Sequence, residues 1–270
     1  MSNKLCISTI VNKAYQKYIP IFLYFCLKSY PEYSIKLFLT EGLNNKYISI
    51  ISELNKLGII EIKENCFEGY PKVGHELKTL RWMLNSNDFD KYDYIYIGDV
   101  DILICREDES LLEQHLNHCI KTKLPYSNSV RPNSKRLSGL HFIKKHEYYS
   151  KMDGIVQKHR GKLKNRELIN AKNEETLYKM VVESGFSLPE GWFRPHHGLH
   201  LGIWRKRRDP KTLENFLIKN DEYKYNEYYE YYKSFKKDDL FNEIYNNRLE
   251  ELINMEYYFE SKKEPRDGDK

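Results

Sequence analysis

Tyr92-Asp93-Tyr94-Ile95-Tyr96-Ile97-Gly98-Asp99-Val100-Asp101 is the stretch on which the reading of this chain turns. Tyr94 to Ile97 is a short run of aromatic and β-branched residues that predicts a buried strand, and Gly98 ends it. Asp99 and Asp101 therefore stand at the carboxyl end of a strand, where open α/β sheets bind their ligands. In an extended or tightly turned segment residues i and i+2 project to the same side, so the two carboxylates can converge while Val100 turns back into the core. Two carboxylates brought together repel unless a cation compensates them. A Mg²⁺ or Mn²⁺ ion does so with oxygen ligands and keeps further positions for water and substrate phosphates. Alone, an Asp-x-Asp triplet is equally a strand-ending turn with two solvated acids, so its surroundings must decide.

Upstream, short apolar runs alternate with amphipathic segments in the manner of strands and crossover helices. Strands are expected at Leu5 to Val11, Ser34 to Thr40 and Ile59 to Lys63, and helices at Ile19 to Ser29 and Lys46 to Leu57, the latter closed by Gly58. A Gly- and Pro-punctuated loop, Gly69 to Gly74, leads into a helix from His75 to Leu84. Downstream, Leu124 to Arg136 loses periodicity and reads as a mobile polar loop. A strand at Leu140 to Ile143, helices at His146 to His159 and Glu174 to Ser184, and an apolar run from Leu199 to Trp204 follow. The expected organisation is a catalytic domain over 1–209, a helical Tyr-rich extension over 210–260, and a disordered tail over 261–270.

The segment Asp93 to Ile104 resembles the "yDyIlylDaDili" strand and turn of GT-A glycosyltransferases, especially glycosyltransferase family 8 and related bacterial capsule and lipopolysaccharide transferases. Three later segments resemble elements of the same family in the same order. Ser138-Gly139-Leu140-His141-Phe142-Ile143-Lys144-Lys145 is similar to "NaGvlliNlkkw", and Asn173-Glu174-Glu175-Thr176-Leu177 to the "DQd.lN" helix start. His196 to Lys206 is similar to the "HxxGxxKPW" element, with His200 and Lys206 six apart, although Gly202 comes one position early and no Pro follows the Lys. The likeness spans about residues 4 to 206 and implies a Rossmann-like nucleotide-sugar-binding sheet flanked by helices.

The resemblance implies a divalent cation, Mn²⁺ or Mg²⁺, on Asp99, Asp101 and a histidine, either His200 or His197. It assigns Lys206 to the donor diphosphate, and Ser138 and Gly139 to the close approach of the donor sugar. Thr9, Val11 and Asn12, at the end of the first strand, are expected near the nucleoside. Glu174 and Glu175 are candidates for a catalytic or sugar-positioning role, and either of them or Asp153 for a general base, against the plain reading of acids that complement a helix dipole. Lys78 and Arg81, three apart on one helix face, reach the diphosphate or the base, or else cover an exposed face.

Composition narrows the rest. The balance of 44 basic against 39 acidic residues, a net +5, is too weak for a dedicated nucleic-acid binder. Five cysteines without CxxC spacing sit in apolar runs and read as buried thiols of a reducing cytoplasm. The longest apolar stretch, Tyr18 to Leu27, is too short to cross a bilayer, and no signal-length apolar segment opens the chain. The cations and tyrosines after Arg205 suit either an anionic leaflet, a helical layer packed on the sheet, or a dimer surface.

The expected activity is therefore transfer of a sugar from a nucleoside-diphosphate sugar, with a UDP-sugar favoured, to a hydroxyl of a glycan or lipid-linked glycan. A nucleotidyltransferase or phosphoesterase would also use paired carboxylates but needs a third in strand context. A non-enzymatic carbohydrate- or membrane-binding module would not need them at all.

Overall fold

In the computed structural model, residues 4–71, 74–168, 173–190, 197–205, 213–214, 217 and 222–261 are described. The first strand, β1 (Leu5–Val11), is almost wholly buried, as befits a central strand covered on both faces. It pairs in parallel with β2 (Ser34–Leu39) on one side and with β4 (Tyr94–Ile97) on the other, and β2 pairs in parallel with β3 (Ile60–Lys63). Beyond β4 the sheet turns antiparallel through β7 (His141–Lys144) to β6 (Tyr126–Ser127), giving the order β3-β2-β1-β4-β7-β6. Chain order reverses between β1 and β4, and the cleft that opens at such a switch point is the natural ligand site of the fold.

The helix α1 (Ile19–Ser29) carries Pro20 in its first turn and is apolar nearly all round, because it is enclosed between the sheet and a second helical layer. That layer is built from α7 (Glu222–Ser234), α8 (Asp239–Tyr245) and α9 (Glu250–Ser261). Phe25 stacks on Tyr232 with centroids 6.0 Å apart, and Tyr225, Tyr228 and Tyr229 are buried as well. These tyrosines are spent on packing, which excludes them from an interfacial belt. No helix among the described residues is long and apolar enough to cross a membrane.

On the opposite face the core is closed by a 3₁₀ segment (Leu80–Met83), by α5 (Lys145–Lys164) and by α6 (Asn173–Glu183). The helix expected over His75 to Leu84 is α3 (Gly74–Thr79) tightening into that 3₁₀ turn. Likewise, Lys46 to Leu57 resolves into a 3₁₀ turn (Asn45–Tyr47) and α2 (Ile48–Leu54). All five cysteines are buried free thiols.

Two regions differ from expectation. A helix, α4 (Leu111–Thr122), occupies a stretch for which the sequence reading names no element. Within the supposed mobile loop, Tyr126 to Ser129 is buried, and hydrogen bonds satisfy the side chains of Tyr126, Ser127 and Asn128. The Ser127 hydroxyl meets Nδ1 of His115 at 2.8 Å, and the Asn128 amide oxygen accepts from the Ser138 N–H at 2.8 Å.

Candidate active site

The chain leaves β4 at Gly98, whose N–H donates to the Ser8 carbonyl, and turns through Asp99, Val100 and Asp101 into β5 (Ile102–Ile104). Val100 is buried, as the alternation required. The strand β5 pairs antiparallel with β8 (Gly198–His200) in a separate two-stranded ribbon. Its register sets Ile102 opposite His200, and the Leu201 N–H donates to the Asp101 carbonyl at 2.7 Å. Pairing therefore carries the imidazole to the aspartates from about a hundred residues away in sequence. Ligand atoms of Asp99, Asp101 and His200 all lie within 4.8 Å of one another.

This donor set, two carboxylates and one neutral-capable imidazole, fits a Mn²⁺- or Mg²⁺-type cation with room for phosphate oxygens. Gly202 is needed beside it, because a Cβ there would lie 2.7 Å from His200 Nε2 and 2.9 Å from Asp101 Oδ2.

Asp101 and His200 shift each other's protonation in opposite directions. Burial alone would raise the Asp101 carboxyl, but the hydrogen bond and charge of His200, with the charge of Arg205, outweigh it and hold it below its ordinary value. Burial would likewise depress His200, yet its hydrogen bond with Asp101 and the charges of Asp101 and Asp99 raise it. Asp101 is ion-paired with Arg205, whose guanidinium also lies over the Tyr15 ring at 4.9 Å. Asp99 is more open and pairs with Arg81 at 2.6 Å.

These groups open into a cleft of about 480 Å³ at the switch point. Arg81 sits at its wall, donating from Nη1 to the Gly139 carbonyl at 3.1 Å and from Nε to the Lys78 carbonyl at 3.2 Å. Lys78 lines the same cleft and is exposed. Gly139 stands between the two acids: a Cβ there would be 3.6 Å from Glu174 Oε1 and 3.9 Å from Asp99 Oδ2. Glu174 opens α6 and is held by Arg131 at 2.6 Å, with Arg136 at 3.9 Å. Glu174 lies outside the cluster of metal-competent ligands among the described residues, so the third carboxylate that two-metal chemistry requires is not there.

Several sequence candidates fall elsewhere. His197 is buried away from the cleft, its Nδ1 2.6 Å from Glu107 Oε2 and its Nε2 3.1 Å from His115 Nε2. Thr9 and Val11 point into the sheet core, since β1 runs on through Val11 and its other parity faces the cleft. It is Ile10 and Asn12 that line the cleft. Ser138 does not line the cleft: its N–H donates to Asn128 Oδ1 at 2.8 Å and its Oγ accepts from the Leu140 N–H at 3.2 Å. Glu175 is half-buried and off the lining, and Asp153 accepts from Ser86 Oγ at 2.6 Å on α5. Lys206 lies outside the described residues.

The cleft also gains residues the sequence did not single out. Tyr15 lies on the 3₁₀ turn (Lys13–Tyr18) that Asn12 caps by accepting from the Tyr15 N–H at 3.0 Å. Asn173 lines the cleft, and its buried Oδ1 accepts no hydrogen bond from the described residues. Arg131 gave no signal at all, since it belongs to the stretch without periodicity.

No family model and no curated protein matches the sequence. Among solved structures, the apo form of the glycosyltransferase GlyE of Streptococcus pneumoniae TIGR4 aligns with a TM-score of 0.52 at 11% identity, over 96% of this chain and 64% of that one. A second structure of GlyE from the same organism aligns with a TM-score of 0.49 at 15% identity, over 70% of this chain and 46% of that one. A galactosyltransferase, LgtC, solved in complex with donor and acceptor sugar analogs, aligns with a TM-score of 0.40 at 12% identity, over 64% of this chain and 69% of that one. The chain thus spans about half to two thirds of the length of the GlyE chains it matches. The apo GlyE alignment shows the fold: along nearly its whole length this chain is built like a glycosyltransferase of the mixed α/β, GT-A type that Asp93 to Ile104 resembles.

Proposed function

We propose that the chain is a metal-dependent glycosyltransferase that moves a sugar from a nucleoside-diphosphate donor, a UDP-sugar by preference, to a hydroxyl of a glycan acceptor. The observation that carries this reading is the convergence of Asp99, Asp101 and His200 at the β1–β4 switch point, beside a cleft rich in arginine. Asp99, Asp101 and His200 would hold the cation, which supplies positive charge to a departing diphosphate. Arg81 and Arg205 stand next to the two carboxylates and offer planar donors to the diphosphate oxygens. Lys206 is assigned to the same leaving group on the strength of the sequence resemblance.

Glu174, fixed by Arg131, and Asn173, with its buried free acceptor, would orient the sugar hydroxyls across the gap left by Gly139. An acceptor from a bacterial surface polysaccharide, of capsule or lipopolysaccharide type, fits the resemblance best. The test is incubation of the full chain and Mn²⁺ with a panel of nucleotide sugars, followed for slow donor hydrolysis. One donor should be hydrolysed, and Asp99→Asn and Asp101→Asn should each abolish it. Failure to bind any nucleoside diphosphate or to hydrolyse any donor sinks the proposal.

A further inference from the structure

The ribbon that delivers His200 is too short to specify itself. Three residue pairs join β5 to β8, and an isolated two-stranded ribbon is marginal in water even when longer. A slip of one residue would turn His200 to the opposite face and remove it from Asp101. Two features oppose that slip. Gly198 packs on β5 so closely that a Cβ would meet the Leu103 carbonyl oxygen at 1.9 Å. The other feature is polar and lies at the end of the ribbon away from the cleft.

There His197, in the left-handed region at φ 50°, accepts from the Cys105 N–H through its carbonyl at 2.9 Å. Its ring is buried and bridges two partners, Glu107 at 2.6 Å and His115 at 3.1 Å. Glu107 also accepts from the Tyr228 hydroxyl at 2.7 Å and from Gln114 Nε2 at 2.9 Å, which ties it to α7 and α4. His115 continues the chain to Ser127 on β6 at 2.8 Å, where His118 Nδ1 meets the same hydroxyl at 2.8 Å. His115 is stacked on Phe142 of β7 with centroids 4.8 Å apart. The Glu107 carboxylate requires a proton on His197 Nδ1, while the single Ser127 proton can satisfy only one of the two Nδ1 atoms around it. Proton positions are therefore set along the whole chain rather than at one bond.

No group in this chain lines the cleft, and a buried polar network so fully bonded is costly to keep unless it fixes something. We infer that Glu107 and His197 are positioning residues: they lock the register of the β5–β8 ribbon and so hold His200 within reach of the cation at Asp99 and Asp101. The inference rests on the metal-dependent reading above. Its cause is mechanical, since neither residue touches the cation or the substrate.

The test uses the full chain and Mn²⁺ alone, with affinity read by electron paramagnetic resonance and the imidazole read by nitrogen modulation of the electron spin echo. Wild type should show one coupled nitrogen, absent in His200→Ala. His197→Phe and Glu107→Ala, with wild-type far-UV dichroism, should lose that coupling and bind Mn²⁺ about tenfold more weakly. Glu107→Gln, which keeps an acceptor for His197, should restore most of both. A core-filling role alone would lower the melting temperature and leave the nitrogen coupling intact. Wild-type affinity and coupling in His197→Phe overturn the inference. If that variant does not fold, Tyr228→Phe, which strips one bond from Glu107, must weaken Mn²⁺ binding by a smaller factor, and a wild-type value there overturns it equally. Absence of Mn²⁺ binding by the wild type would instead sink the metal-dependent reading itself, which separates the two failures.

Discussion

The six-stranded sheet and the β5–β8 ribbon each bring part of the candidate cation site, and they do so by opposite means. The sheet is held by buried aliphatic and aromatic side chains on both faces, and it presents Asp99 at the end of β4. Its tolerance is broad, because apolar packing is non-directional and the register is held by many residue pairs across the sheet. The ribbon joins three pairs of residues, carries Asp101 at its start and His200 within it, and depends on two glycines and a set of directed hydrogen bonds. Damage to the sheet should therefore appear as lost stability, and damage to the ribbon as lost cation binding.

The sharpest way to break that contrast is Gly202→Val. A side chain at this position enters the space between His200 Nε2 and Asp101 Oδ2, so Mn²⁺ affinity should fall by roughly 100-fold or more while the melting temperature changes little. Isothermal calorimetry and a thermal scan on one sample decide it; unchanged Mn²⁺ affinity would refute the placement of the ligands. The reciprocal case is Leu37→Ala in β2, wholly buried and remote from the cleft. It should cost about 2–5 kcal/mol in urea unfolding and leave the Mn²⁺ dissociation constant of the folded protein within twofold.

A smaller effect comes with acid. Burial would raise the Glu107 carboxyl, but the hydrogen bond and charge of His197 and the bonds from Tyr228 and Gln114 outweigh it and bring it down to about 2 from an ordinary 4.5. A depressed carboxylate contributes stability that is complete above about pH 4.5 and is lost as pH falls through about 2. Partial solvent access reduces the contribution to roughly 1–2 kcal/mol. Denaturant midpoints measured from pH 5 to pH 2.5 should fall more steeply for the wild type than for Glu107→Gln, and parallel slopes would contradict it.

The sheet was the part most open to reading from sequence. β1, α1 and β4 lie where their apolar runs predict, at Leu5–Val11, Ile19–Ser29 and Tyr94–Ile97, since each run is continuous and bounded by polar or breaking residues. The helix α4 was overlooked although Leu111, Leu112, Leu116 and Cys119 recur at helical spacing on its core side. A second signal was present as well: Ser110 and Glu113 form a reciprocal capping box, the Ser-x-x-Glu pattern that marks a helix start.

Of the site, Asp99, Asp101 and Gly139 follow from a strand end and a resemblance carried by local motifs, and Arg81 from its three-residue spacing with Lys78 on one helix face. Between His197 and His200 the sequence favours His200 for the apolar run that follows it, and the pairing of β8 with β5 is what turns that imidazole, and not His197, to Asp101. Nor did composition reveal that Tyr126 to Ser129 is buried, since polar residues are interior wherever their partners, here His115 and Ser138, are brought from other segments.

The helix α9 has a consequence for when the cleft comes into being. Its Glu251 binds Lys17 at 2.9 Å and the Tyr18 hydroxyl at 2.6 Å, while Asn254 Nδ2 donates to the Trp204 carbonyl at 3.0 Å. These contacts grip the turn that carries Tyr15 and the turn that precedes Arg205, both of which wall the cleft. Synthesis delivers residues 250–261 well after either turn, so on the ribosome the sheet can form while the cleft still lacks its clasp. Assembly of the cleft walls thereby waits on a helix that is synthesised after every strand of the sheet and of the ribbon.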